Sequence, residues 1–193
     1  MVRSASGTRA RTWALDSGVV TGVNGSLRDM ARRIEHLTTS SWPARDVFAA
    51  LVDEDYLRER LEVLGGKDAA LEAYTSAGGT TSYQLRQGLS AEQLPSMARG
   101  VLGGDLVIHR AEAWTEAGRT GTAEVTIDGV PGRLDGTLTV ADRGEGCALT
   151  LTGQIKVSIP LVGGKIEAMI AEQVVKLLDR ENEFTSAWLA RHA

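Results

Sequence analysis

Apolar residues recur along this chain with two different periods, and the change between them divides it. Between residues 67 and 159 short β-compatible runs are separated by Gly, Asp and Pro. In one run Ala123, Val125 and Ile127 alternate with Thr122, Glu124 and Thr126. In another Leu134, Leu138 and Val140 alternate with Arg133, Thr137 and Thr139. Such one-sided apolarity predicts antiparallel strands with a single covered face. The runs place strands at about 69–77, 80–87, 106–116, 121–127, 133–141 and 148–159, with turns at Ala77-Gly78-Gly79, Gly118, Gly129-Val130-Pro131-Gly132 and Asp142-Arg143-Gly144. A further β-branched run at 33–39 predicts a first strand. Leu94 to Gly100 has helix-like spacing and reads as an insertion between two strands.

The helical period appears twice. After Ser41-Trp42-Pro43, Val47, Phe48, Leu51 and Val52 follow a helical spacing, with Ser41 or Trp42 where a cap belongs and Pro43 suited to the first turn. Asp53-Glu54-Asp55 either breaks this helix or begins a second through Tyr56, Leu57, Leu61 and Leu64, stopped by Gly65-Gly66. At the other end, no Pro or Gly interrupts the chain from Lys165 to Ala190. There Ile166, Met169, Ile170, Val174, Leu177, Phe184 and Trp188 share one stripe, with Glu172 and Lys176 a favourable pair on the opposite side. A helix of about 25 residues is about 37 Å long, enough to cross a whole sheet. The order is strand, one or two short helices, six strands, long helix. An α+β fold satisfies it: a curved seven-stranded antiparallel sheet around the C-terminal helix. One helix cannot fill such a sheet, and the space left over is a ligand cavity.

Composition changes this picture little. The 193 residues are 42% hydrophobic and 24% charged, with no apolar run long enough to span a membrane. The net charge of −4 argues against a nucleic-acid backbone as partner. A single cysteine, Cys147, excludes an internal disulfide and multi-cysteine metal clusters, and reads as an unreactive small residue. His36, His109 and His192 are too scattered for a metal site, so neither metal nor cofactor is expected. Residues 1–29 stand apart. They hold four Arg and two acids, are rich in Ser, Thr and Gly, and lack any periodicity. They read as a disordered arm or as a mis-assigned start, with Met30 the initiator and the domain spanning 30–193. They lack the apolar core of a secretory signal, and a cytoplasmic protein, monomer or homodimer, is expected.

Certain stretches resemble a known group. Leu94-Pro95, Glu112-Ala113-Trp114, Gly129-Val130-Pro131, Gly136 and the run Ile159-Pro160-Leu161-Val162-Gly163-Gly164-Lys165-Ile166-Glu167 resemble an uncharacterised actinobacterial family within the START-like superfamily. That superfamily, also called SRPBCC, includes the birch-pollen-allergen-like proteins and the polyketide cyclase/aromatase and lipid-transport relatives. The resemblance covers residues 30–193 and implies the helix-grip fold. It implies no reaction, because one fold hosts many functions.

No nucleophile elbow, zinc-protease, phosphate-loop or dinucleotide motif is present. Gly163-Gly164-Lys165 is followed by Ile166, not Ser or Thr, so it reads as a strand-to-helix turn whose glycines need a positive φ or a close backbone approach. The candidates for lining a cavity are His36, Arg110, Glu112, Trp114, Gln173, Val174, Leu177 and Glu181. Arg110, Glu112 and Trp114 share one strand face, opposite His109. Arg110 and Glu112 either orient a carboxylate or hydroxyl of a ligand or form an exposed charge pair with Trp114 over the sheet. Glu181 and Gln173 interrupt the apolar stripe. Either they face the cavity, or Glu181 is solvated where the helix outruns the sheet while Gln173 bonds to backbone. His36 is a general base if it faces inward and a structural residue otherwise. The expected function is non-catalytic binding or carriage of a hydrophobic small molecule, lipid or polyketide-like, without stable membrane insertion. The alternatives are a cyclase/aromatase-like enzyme and an interaction module with a filled core.

Overall fold

The computed structural model describes residues 31–192. The expected arm at 1–29 lies outside the described residues. Strand β1 (Arg32–Ser40) leads into helices α1 (Ala44–Leu51) and α2 (Glu54–Leu64). Strands β2 (Ala70–Ala77) and β3 (Thr80–Leu89) follow. A single 3₁₀ turn and helix α3 (Ser96–Leu102) separate β3 from β4 (Leu106–Thr115). Then come β5 (Thr120–Ile127), β6 (Gly132–Arg143), β7 (Gly146–Val157) and α4 (Gly163–His192). The seven strands form one antiparallel sheet in the order β1-β7-β6-β5-β4-β3-β2. Strands β1 and β2, successive among the strands, thus lie at opposite edges, and α1 and α2 make the connection.

The helices begin and end for local reasons. Pro43, expected in the first turn of α1, stands one place earlier as its N-cap, so neither Ser41 nor Trp42 caps it. Asp53 does begin a second helix: its side chain accepts a hydrogen bond from the Tyr56 amide at 2.8 Å. Helix α4 has 30 residues, about 45 Å at 1.5 Å per residue. At the turn before it, the close approach falls on Gly163. A Cβ there would stand 2.5 Å from the Val157 carbonyl oxygen, whereas Gly164 faces open space. The left-handed backbone falls instead on Leu161 (φ 69°), and the Gly163 amide closes the turn onto the Ile159 carbonyl.

Where α4 lies determines where the interior stays open. It packs on β1 and β7 and against α1 and α2. The middle strands β4 to β6 face it at longer range. Buried residues gather under α1 and α2, from Val47, Phe48, Leu51, Tyr56, Leu57 and Trp114. Trp114 lies 1% exposed, edge-on to Phe48 at 5.9 Å between ring centroids. Its indole covers Gly121 on β5, where a Cβ would stand 2.7 Å from the ring. Cys147 is buried in this core, and burial pushes its thiol pKa up.

Candidate functional site

Between the open middle of the sheet and α4 lies a cavity of about 310 Å³, at the lower end of the range for small-molecule sites. Its floor comes from alternating inward positions of the sheet: Gln87 on β3, Ile108 and Arg110 on β4, Ala123, Val125 and Ile127 on β5, Leu134 and Leu138 on β6, and Leu151 on β7. Its roof is Met169, Ile170, Gln173, Val174, Leu177 and Leu178 of α4, and its mouth is rimmed by Val63, Leu64, Gln93, Lys176 and Arg180. The bulky residues of α4 do not pack the interior solid. A larger groove of about 660 Å³ runs over the convex face of the sheet, between Ala73, Thr122 and Gly136, but it is shallow and open to solvent.

Arg110 links the cavity to a buried ion network behind it. Its Nε donates to Glu112 Oε1, and its Nη1 donates to Glu181 Oε1 at 2.8 Å. The other oxygen of Glu112 accepts from the Tyr83 hydroxyl at 2.5 Å and from the Trp114 indole at 2.7 Å. Strand register sets this up, because Glu112 stands directly opposite Tyr83 on β3. From α2, Arg60 brings Nη1 to 3.7 Å from Glu181 Oε2, and its guanidinium lies over the Tyr56 ring at 5.4 Å from the centroid. Both terminal nitrogens of Arg60 are buried without a hydrogen-bond partner. Tyr56 in turn bonds to Thr185 at 2.7 Å. Two buried arginines thus face two buried carboxylates. A hole of about 20 Å³ between Arg110, Glu181, Asn182 and Thr185 exceeds the roughly 10–15 Å³ that one water needs.

The ionisations follow from this packing. Burial alone would raise the Glu112 pKa, but Arg110 and Arg60, with the bonds from Tyr83 and Trp114, bring it below the ordinary glutamate value. Burial would lower the arginines, and the facing carboxylates raise both instead. Tyr83 is pushed well above its ordinary value by burial and by the Glu112 charge.

A carboxyl whose pKa is lower folded than unfolded adds stability above the unfolded value and loses it as pH falls through the folded one. For Glu112 that loss begins below about pH 4.5, its unperturbed value. Thermal melts of the parent and Glu112→Gln between pH 7 and pH 3 are expected to differ most at neutral pH and to converge in acid. A constant gap would show that Glu112 is not held ionised by the arginines.

Of the sequence candidates, Arg110, Gln173, Val174 and Leu177 are on the cavity wall. Glu112, Trp114 and Glu181 are not: they lie behind Arg110 in the ion network. The exposed charge pair and the solvated Glu181 both give way, because Glu112 and Glu181 are 4% and 6% exposed. Burial of these carboxylates is compensated by the two guanidiniums. His36 does face inward, but on an edge strand, where Nε2 lies 2.8 Å from Asp179 of α4 and out of the cavity. His109 points to the convex side, near Asp128 and Glu72. The apolar stripe of α4 also turns slightly. Its buried line runs through Ile166, Met169, Leu178, Glu181, Thr185 and Leu189, while Phe184 and Trp188 pack on Tyr56. Arg60, Tyr83, Gln87 and Thr185 are not among the sequence candidates, and Tyr56 reads there only as an apolar position of α2. Arg60 did leave a signal. It falls inside the apolar spacing Leu57, Leu61, Leu64, an interruption opposite in sign to Glu181.

A seven-stranded antiparallel sheet gripping a long C-terminal helix is the helix-grip, START-like fold. Consistent with that, the structure resembles a START superfamily protein from Mycobacterium smegmatis (TM-score 0.56, 13% identity, covering 83% of this chain and 99% of that one). It also resembles an aromatase/cyclase from a Streptomyces species (TM-score 0.55, 15% identity, covering 84% and 95%). The chain belongs to the family described as protein of unknown function (DUF2505), whose model matches residues 35–189. A relative from Mycobacterium tuberculosis, itself uncharacterised, is 30% identical over 158 residues, covering 76% of this chain and 90% of that protein. Among the described residues no helix is long and apolar enough to cross a membrane, and no group of side chains is arranged to hold a metal ion.

Proposed function

We propose that this protein binds a hydrophobic small molecule in the cavity between sheet and α4, as a carrier or sequestering protein and not as a catalyst. The observation that carries this reading is the cavity of about 310 Å³ with a largely apolar wall. Its volume suits one ring system or one acyl chain. The titratable groups on the wall are Arg110, Lys176 and Arg180. They offer guanidinium and ammonium groups, not the carboxylates and imidazoles that most often move protons near neutrality. Glu112, bonded to the wall residue Arg110, has both oxygens already engaged. The cyclase-like reading is therefore the weaker one, although the Streptomyces neighbour is an aromatase/cyclase.

The test uses a neutral probe, N-phenyl-1-naphthylamine, whose fluorescence rises in apolar surroundings. A saturable one-to-one rise is expected. Ala123 lies on the cavity floor at 8% exposure, and Ala123→Phe should fill the space and cut probe binding at least tenfold with the far-UV spectrum unchanged. A parent protein that does not bind the probe, or a variant that binds it equally well, would overturn the reading.

A further inference from the structure

Among the described residues the cavity wall carries cations and amides but no acid. Its polar members are Arg110, Lys176 and Arg180 with Gln87, Gln93 and Gln173, and the rest is apolar or glycine. This occurs in a chain where Asp and Glu outnumber Lys and Arg by 25 to 21, so the bias is local.

The two ends of the cavity differ in what charge they accept. At the inner end Arg110 already serves two carboxylates, and together with Arg60 it balances Glu112 and Glu181. A third carboxylate there would be buried without a counter-ion, which a low-dielectric site penalises strongly. Arg110 keeps only Nη2 without a hydrogen bond, and Gln87, 7% exposed, stands diagonally across β3 and β4 from it. Those donors suit a neutral carbonyl or hydroxyl. The mouth is the reverse. Lys176 and Arg180 are exposed, one helical turn apart on α4, and on the same side of it. Among the described residues neither makes an ion pair, and the sequence-expected partner Glu172 does not reach Lys176. Val63, 63% exposed, also lines the cavity.

We infer that the ligand is an amphiphilic organic anion, its carboxylate held at the mouth by Lys176 and Arg180 and its apolar body inside against Leu134, Leu138 and Leu151. This rests on the cavity-binding reading above and adds the charge and the direction of entry. Decanoate and 1-naphthoate carry the same carboxylate on an aliphatic and an aromatic body, and the comparison between them tells which body fits.

The experiment is competition against N-phenyl-1-naphthylamine with decanoate, 1-naphthoate, decanol, 1-naphthalenemethanol and decyltrimethylammonium. At low salt at least one carboxylate is expected to bind about five- to tenfold more tightly than its alcohol, the scale of two exposed charge contacts. The preference should shrink with added salt. The double variant K176Q/R180Q should lose the preference, its affinity for each carboxylate falling to that for the matching alcohol. Both residues are exposed, so the variant should fold as the parent does. If the alcohols match both carboxylates, or the ammonium compound binds best, this inference falls and the cavity reading stands. If the parent binds neither probe nor any competitor, the cavity reading itself fails.

Discussion

Replacing Arg110 by methionine is expected to destabilise the protein by about 3–5 kcal/mol, the range for breaking a buried ion pair from one side. Arg110 is 9% exposed and, among the described residues, is the one group hydrogen-bonded to both Glu112 and Glu181. Its loss leaves Arg60 as the remaining cation facing two buried carboxylates, and Arg60 approaches Glu181 only to 3.7 Å. Urea unfolding monitored by Trp fluorescence measures the effect. Adding Glu112→Gln to Arg110→Met should cost less than the sum of the two single changes, because neighbouring members of one network do not add. Strict additivity would mean that the two side chains are not coupled. A loss under about 1 kcal/mol, the level of an exposed pair, would mean that water reaches the network.

The second large effect separates two parts of α4. Ile166 is 0% exposed and packed on all sides, so Ile166→Ala is expected to cost about 2–5 kcal/mol. Val174 and Leu177 are half-buried and border the cavity. Fewer atoms oppose them, so truncating them forfeits less contact energy, and the cost should stay below about 1.5 kcal/mol each by the same transfer scale. Their truncation should instead change binding of the naphthylamine probe, which Ile166→Ala leaves alone in any population still folded. Chemical denaturation together with probe titration checks both halves. Equal, large stability losses at Ile166, Val174 and Leu177, with no probe binding by the parent, would mean that the interior is packed solid.

Much of this molecule is legible in one dimension. The strands expected at 80–87, 121–127 and 133–141 follow from short β-compatible runs between Gly, Asp and Pro, alternating in the last two, and the structure places strands at Thr80–Leu89, Thr120–Ile127 and Gly132–Arg143. Alternation also separates the faces of β4: Arg110, Glu112 and Trp114 go inward and His109 outward. Helix α4 follows from its period and from the absence of breakers. The number of strands, the single long helix and hence the existence of a concave space come from local signals alone, because helix and strand periods are written in residues three or four apart, or two apart.

The partners of the buried charges are a different matter. Arg110 and Glu181 are 71 residues apart in the chain, and Arg60 comes from a third element. A lone Glu in an apolar stripe reads as solvated, because burying an unpaired carboxylate is too costly. Only the packing of α2, β4 and α4 against one another brings two guanidiniums to it and reverses that balance. The same packing decides what faces the cavity. Register sends Glu112 to Tyr83 and Trp114, and so away from the ligand space. The contact of α4 with β1 and β7 holds His36 against Asp179 at the edge of the sheet. By itself the sequence determined the elements and the side of each strand that is covered, since these depend on near neighbours. Which charges meet, and which of the covered residues border empty space, depends on distances between segments far apart in the chain, and those exist only once α4 has been laid across the sheet.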